Sequence, residues 1–264
     1  MTISKALNEN LDKFNLLKHP FYVAWNEGTL SIEILQKYVT EYYHHVVAFP
    51  HYVNKIRLLC PNQEDKDVLE DNLLDELGLK DSTLSDKMTW EEENCQNKED
   101  KDVLKDNLLD ELKLKDFTLS DKTTWGKENH PELWLRFSEG IGGTRDMKDE
   151  PELESTKKLV NGYFDLVRND YATGLGALYA YERQTPAIAK SKANGLKCHY
   201  NVNDEETLKF FTVHQEIDEW HREQLEWLIS KLSSDEKKRF EIGAVAGAKL
   251  LYEFLDGMNV INCH

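Results

Sequence analysis

An all-α fold is what this sequence predicts, and two observations carry that expectation. Glycine and proline are sparse, 13 and 6 in 264 residues, and they stand between long segments whose apolar residues recur at helical spacing. Alternating apolar and polar stretches of the kind that half-buried strands require are hard to find. With 40% hydrophobic residues the chain can bury one sizeable core, so a single helical domain over 1–264 is expected.

Helices are expected near 4–18, 32–58, 64–77, 100–113, 131–139, 152–168, 171–194, 204–232 and 235–256. Pro20 and Gly28 bound the gap after the first segment, Pro61 closes the second, and Pro131 opens the helix that runs to the Gly140–Gly143 cluster. Pro151 precedes the sixth segment and Gly195 follows the seventh. In 100–113, Val103, Leu104, Leu108 and Leu112 mark one apolar face that includes Glu111. In 171–194, Glu182 follows Leu175, Leu178 and Tyr179 at positions that put it on a mostly dry face. In 204–232, Phe210, Phe211, Ile217, Leu225, Leu228, Ile229 and Leu232 form a stripe opposite Gln215, Glu216, Glu219, Arg222 and Glu223. Ser233 with Glu236 is a capping box for the last helix.

The formal net charge of −16 argues against nucleic acid and anionic membrane as partners. No apolar run approaches the ~20 residues of a membrane span, and MTISKALNENLDKF lacks the plan of a signal peptide, so a cytoplasmic protein is expected. Cys60, Cys95, Cys198 and Cys263 are scattered without metal-binding spacing and read as free thiols.

One segment is duplicated. EDKDVLEDNLLDELGLKDSTLSDKMTWEEEN (64–94) recurs 35 residues later as EDKDVLKDNLLDELKLKDFTLSDKTTWGKEN (99–129), with six differences in 31 positions. A solenoid needs at least three units, so two copies read as a tandem duplication inside the domain. Only the second copy runs directly into His130. Copy one is therefore expected to be a surface excursion that contributes no functional residue, removable as 64–98 without loss.

The polar residues on the dry faces carry the functional signal. His214, Asp218 and His221 stand at i, i+4 and i+7, within roughly 60° of one another on a helix surface, and on the apolar stripe. Two imidazoles and a carboxylate out of water cost several kcal/mol without compensation, and a metal cation compensates them. A pair of core histidines with Asp218 bonded to one of them is the alternative. Together with Glu111, His130 and Glu182 the triplet makes a carboxylate and imidazole set of the kind that holds two iron or manganese ions in a helical bundle. Glu76, the copy-one counterpart of Glu111, is the competing carboxylate; Glu111 is preferred because it is nearer to His130 in sequence.

The segments HPFYVAWNEG, EYYHHVVAFPHY, NHPELWLRF, ALYAYERQTP and HQEIDEWHREQ resemble the haem-oxygenase-like dimetal oxidases, and among them the para-aminobenzoate-forming type whose chlamydial members associate with death domains. The resemblance implies a haem-oxygenase-like helical bundle with the duplicated segment inserted. It makes Glu111, His130, Glu182, His214, Asp218 and His221 the ligands of two irons or an iron and manganese pair. It also matches Tyr22 to a tyrosine that is consumed and Lys192 to its nitrogen donor, with O2 and a reductant as cosubstrates, in a reaction that feeds folate synthesis. In that family the first Glu and His are seven residues apart on one helix, whereas here Thr123 stands seven before His130, so the intervening loop has to fold outward and bring His130 back. The resemblance leaves room for a homodimer, for a host death-domain protein as partner and for non-classical secretion to a host. A thiaminase-type enzyme is another activity of the wider fold, but it needs a cysteine nucleophile, and helix 171–194 has none.

Overall fold

The computed structural model describes residues 4–79 and 127–262, without the side chains of 215–220 and 262. Ten α-helices make up the described fold: α1 (Lys5–Asp12), α2 (Pro20–Glu27), α3 (Ile32–Leu58), α4 (Gln63–Glu76), α5 (His130–Gly140), α6 (Glu154–Asn169), α7 (Tyr171–Glu182), α8 (Thr185–His199), α9 (Glu205–Lys231) and α10 (Ser234–Asn262). A 3₁₀ turn, Leu16–Lys18, links the first two. No strand occurs among the described residues, and no described helix is long and apolar enough to cross a membrane.

Helix α7 lies at the centre. All twelve of its residues are buried, which is why its sequence, YATGLGALYAYE, shows no polar face. It packs chiefly on α10. The two backbones meet through glycines: a Cβ on Gly176 would lie 2.1 Å from the Phe240 carbonyl oxygen, and one on Gly243 would lie 2.0 Å from that of Thr173. Helices α3, α5, α6 and α9 complete the bundle around this pair.

Buried polar groups fix the helices relative to one another. The Trp134 indole donates to the Val39 carbonyl at 2.9 Å, tying α5 to α3. Helix α6 has no side-chain cap of its own. Glu41 on α3 supplies one, accepting from the backbone N–H groups of Glu152 and Leu153 (both 3.2 Å) and from the Thr156 hydroxyl at 2.6 Å, so its carboxylate faces the positive end of the helix. The expected box at α10 is formed, with the Ser233 hydroxyl donating to Glu236 at 2.6 Å and accepting from the Glu236 N–H at 3.4 Å.

Three elements differ from expectation. The segment read as 4–18 is a short helix followed by the 3₁₀ turn, and α2 was not anticipated because its eight residues begin at Pro20 and end against Gly28, two signals that also describe a loop. The segment 171–194 is two helices, broken after Glu182, with Pro186 in the first turn of the second. Third, copy one is no surface excursion where it is described: α4 belongs to it and buries Leu69, Leu73, Leu74, Asp75 and Glu76. The reason is that its apolar face is needed to cover α3 and α9, against which it packs. The expected helix 100–113 lies outside the described residues.

Candidate metal centre and adjoining cavity

Three helix ends and one helix interior deliver the polar side chains of the site. Glu76 is the last residue of α4, His130 the first of α5 and Glu182 the last of α7, while His214 and His221 lie inside α9. Each is buried, at 4%, 3%, 1%, 2% and 1% exposure in that order, which a carboxylate or imidazole tolerates only with partners. His130 is held in place because the Asn129 side chain caps α5, accepting from the Glu132 N–H at 2.8 Å.

Glu76 meets His130: its Oε2 is 2.6 Å from the imidazole Nδ1. A neighbouring pair links Asp75 Oδ2 to His221 Nε2 at 2.9 Å. The His130 and His214 rings lie side by side with centroids 4.4 Å apart. His214 Nδ1 is 2.6 Å from the Phe210 carbonyl. A carbonyl only accepts, so Nδ1 carries the proton and Nε2 carries the lone pair, the arrangement by which backbone groups orient metal-binding histidines. Burial, reinforced by the adjacent His130, holds the His214 pKa well below its ordinary value, keeping the ring neutral.

Glu182 is the least satisfied group. Neither carboxylate oxygen has a hydrogen-bond partner among the described residues, although the Asn72 amide lies close enough to favour its charged form. Burial pushes its pKa up to about 7, opposed by His221 and assisted by the like charges of Glu76 and Asp75. His130 Nε2 also has no partner among the described residues. These unsatisfied oxygens and the unsatisfied ring nitrogen belong to the donor types that hold first-row cations, so the residues present fit an iron site. The side chains pair with one another rather than splaying around a point: no three His, Cys, Asp or Glu side chains among the described residues close on one metal position.

Of the expected ligands, the structure brings together His130, Glu182, His214 and His221. Asp218 is in α9 with its side chain outside the described set, and Glu111 lies outside the described residues altogether. The carboxylate against His130 is the competing one, Glu76. Asp75 was not anticipated from sequence, since it is adjacent to Glu76 and adjacent helical residues point about 100° apart.

A small cavity of about 30 Å³ adjoins the centre, walled by Tyr22, Tyr42, Tyr181, Lys192, Phe210 and His214 among others. It has room for a molecule or two the size of water. Tyr22 and Lys192 share it. The Lys192 amine donates to the Tyr38 hydroxyl at 2.6 Å and lies 4.6 Å from the centroid of the Tyr22 ring, while the Tyr22 and Tyr38 hydroxyls are 2.9 Å apart. Burial drives the Lys192 pKa well below the ordinary amine range and the Tyr22 phenol, with Tyr42 adding to it, well above 10. Tyr38 was visible in the sequence only as one of many core tyrosines. His45 is a fully buried core residue ringed by Tyr42, Tyr52, Tyr163 and Tyr181, its pKa lowered by burial to about 3. Cys60 and Cys198 are free thiols.

The model of an iron-containing redox enzyme matches residues 119–254, more than half of the chain and the part that carries His130, Glu182, His214 and His221. The chain belongs to the iron-containing redox enzyme family. The model of the TENA/THI-4/PQQC family matches residues 8–97. A 4-aminobenzoate synthase of Nitrosomonas europaea is 30% identical over 267 residues, covering 99% of this chain and 93% of the relative. A 4-aminobenzoate synthase of Chlamydia muridarum is 28% identical over 270 residues, covering 100% and 94%. Among solved structures, a protein with a heme oxygenase-like fold from Shewanella denitrificans superposes with a TM-score of 0.67 at 14% identity, over 97% of this chain and 90% of that one. A CADD-like protein from Nostoc punctiforme superposes at 0.65 and 14%, over 99% and 100%. The fold is therefore haem-oxygenase-like, and the family is that of oxidoreductases.

Proposed function

We propose that this family member forms 4-aminobenzoate from its own Tyr22, with Lys192 as nitrogen donor. The observation that carries the reading is the cavity, in which the buried amine lies over the Tyr22 ring and His214 forms part of the same wall. Glu76, His130, Glu182, His214, Asp218 and His221 would hold an iron-containing metal pair. Bound there, with O2 and a reductant as cosubstrates, it would supply the oxidising equivalents that tyrosine cleavage needs.

The protein's own groups prepare the reactants. Burial disfavours the charged form of Lys192, which frees its lone pair, and the hydrogen bond to Tyr38 fixes the direction of Nζ. Tyr22 stays a protonated phenol at rest because burial raises its pKa. The Tyr38 hydroxyl, 2.9 Å away, gives the Tyr22 proton an immediate route. The surrounding aromatic walls, with Tyr22 at 4% and Lys192 at 6% exposure, keep bulk water from competing with the amine. In the product, the ring and Cβ of Tyr22 leave together as the Cα–Cβ bond breaks, and Cβ ends as the carboxylate at the expense of O2; Nζ replaces the phenolic oxygen, which leaves as water, while the Cε–Nζ bond of Lys192 breaks and Cε is left as an aldehyde. The match of residues 8–97 to the TENA/THI-4/PQQC family favours a thiaminase-type enzyme as the second reading, although no cysteine among the described residues lines this cavity.

The test uses protein produced with ring-labelled tyrosine and supplied with iron, manganese, O2 and a reductant. Labelled 4-aminobenzoate should appear in no more than one equivalent per chain, while the Tyr22 peptide loses the mass of its side chain. Tyr22→Phe should keep fold and metal yet release nothing. Unlabelled product with an intact Tyr22 peptide would mean an external substrate and refute the proposal.

A further inference from the structure

The duplication offers two nearly identical segments for one place in the fold. Copy one fills it as α4, and copy two carries the same face: Leu104, Asn107, Leu108, Asp110 and Glu111 repeat Leu69, Asn72, Leu73, Asp75 and Glu76. Two of the six differences between the copies fall at positions where the structure is exacting.

The first is Glu70, whose counterpart is Lys105. Glu70 pairs with Arg57 at 3.1 Å, both residues about 2% exposed, and Arg57 is also held by Asn54 through Nε at 3.1 Å. A lysine in that position would set two cations together out of water. The second is Gly78, whose counterpart is Lys113. Gly78 closes α4 in the left-handed conformation, φ +64°, where its N–H reaches the Asp75 carbonyl at 2.9 Å. A Cβ there would lie 2.4 Å from the Asn129 nitrogen and 2.6 Å from the Glu128 carbonyl carbon, both backbone atoms of the segment that leads into His130. A lysine is excluded by conformation and by contact alike.

We infer that Glu70 and Gly78 select copy one over copy two for this place, and thereby deliver Glu76 rather than Glu111 to His130. The two residues act on which helix docks, so they are positioning residues. Docking itself is independent of the proposed reaction; only its consequence for the metal rests on that reading.

The test is an exchange in the full chain: Glu70→Lys, Gly78→Lys, Lys105→Glu and Lys113→Gly together. Hydrogen exchange read by mass spectrometry should show residues 64–79 protected in the original protein and the protection transferred to 99–114 in the exchanged one. In parallel, loss of bound iron should follow Glu76→Gln in the original and Glu111→Gln in the exchanged protein. Protection that stays on 64–79, or an exchanged protein that does not fold, overturns the inference. A transfer of protection without bound iron in either protein leaves docking selection standing and counts against the metal reading instead. Two deletions make an independent comparison: Δ95–129 and Δ64–98 are equal in length and differ only at the six divergent positions. The first should melt like the parent; the second should not, until Lys105→Glu and Lys113→Gly are added. Equal melting of the two unmodified deletions also overturns the inference.

Discussion

Replacing Lys192 with methionine tests the state of the amine directly. Burial pushes the Lys192 pKa well below its ordinary value, whereas the unfolded chain keeps a protonated lysine up to about pH 10.4. Between the folded and the unfolded pKa the unfolded state binds one more proton, so stability rises with pH across that window and is lost as pH falls. The slope is about 1.36 kcal/mol per pH unit. From pH 7.5 to 9.0 the original protein should gain that amount for each pH unit that lies inside the window, from this residue alone. Methionine fills a similar volume and binds no proton, so Lys192→Met should lack the gain. The Tyr22 and Tyr38 phenols, both raised well above 10, act only at higher pH, where the unfolded state begins to lose their protons. Urea unfolding at the two pH values gives the stabilities by linear extrapolation. The substituted protein should have its larger advantage at pH 7.5, reduced at pH 9.0 by that slope over the part of the interval inside the window. An advantage that does not change with pH would refute the neutral amine, and with it the availability of a lone pair for attack on the Tyr22 ring.

Arg57→Met should destabilise the protein by about 3–5 kcal/mol because it leaves Glu70 buried opposite an apolar group, and adding Glu70→Leu should recover most of the loss; thermal unfolding measures both. Glu182→Gln should lower iron content without unfolding the chain, read by elemental analysis alongside circular dichroism, since neither Glu182 oxygen holds another residue by a hydrogen bond. Gly243→Ala should cost about 1–3 kcal/mol, seen as a lower melting temperature, because its Cβ would press on the Thr173 carbonyl of α7.

The sequence made the helical class and most helix limits legible, because apolar spacing and capping residues are local signals. It also placed His214 and His221 on a dry face, and both are buried, His214 beside His130 and His221 against Asp75. What it could not tell was which repeat covers α3. The apolar faces of 64–77 and 100–113 are the same, so local pattern is silent, and sequence distance to His130 favoured Glu111. The decision lies in tertiary partners, Arg57 on α3 and the backbone at Asn129, which have no signature in the repeat itself. The break after Glu182 was hidden for another reason: Glu182, Arg183, Gln184 and Thr185 are all compatible with a continuing helix, so Pro186 was the one local sign that a new helix starts there.

The contact between Gly78 and Asn129 has one more consequence. It brings the two ends of the intervening chain to the same spot on the fold, so a change in the length between them need not move α4 relative to α5. Closing a flexible loop becomes only about 0.6 kcal/mol harder each time its length doubles. A 35-residue repeat could thus enter a gene in frame at almost no cost to the folded protein. The same junction is a natural port for inserting a reporter or affinity module, one that would leave Glu76 and His130 facing each other.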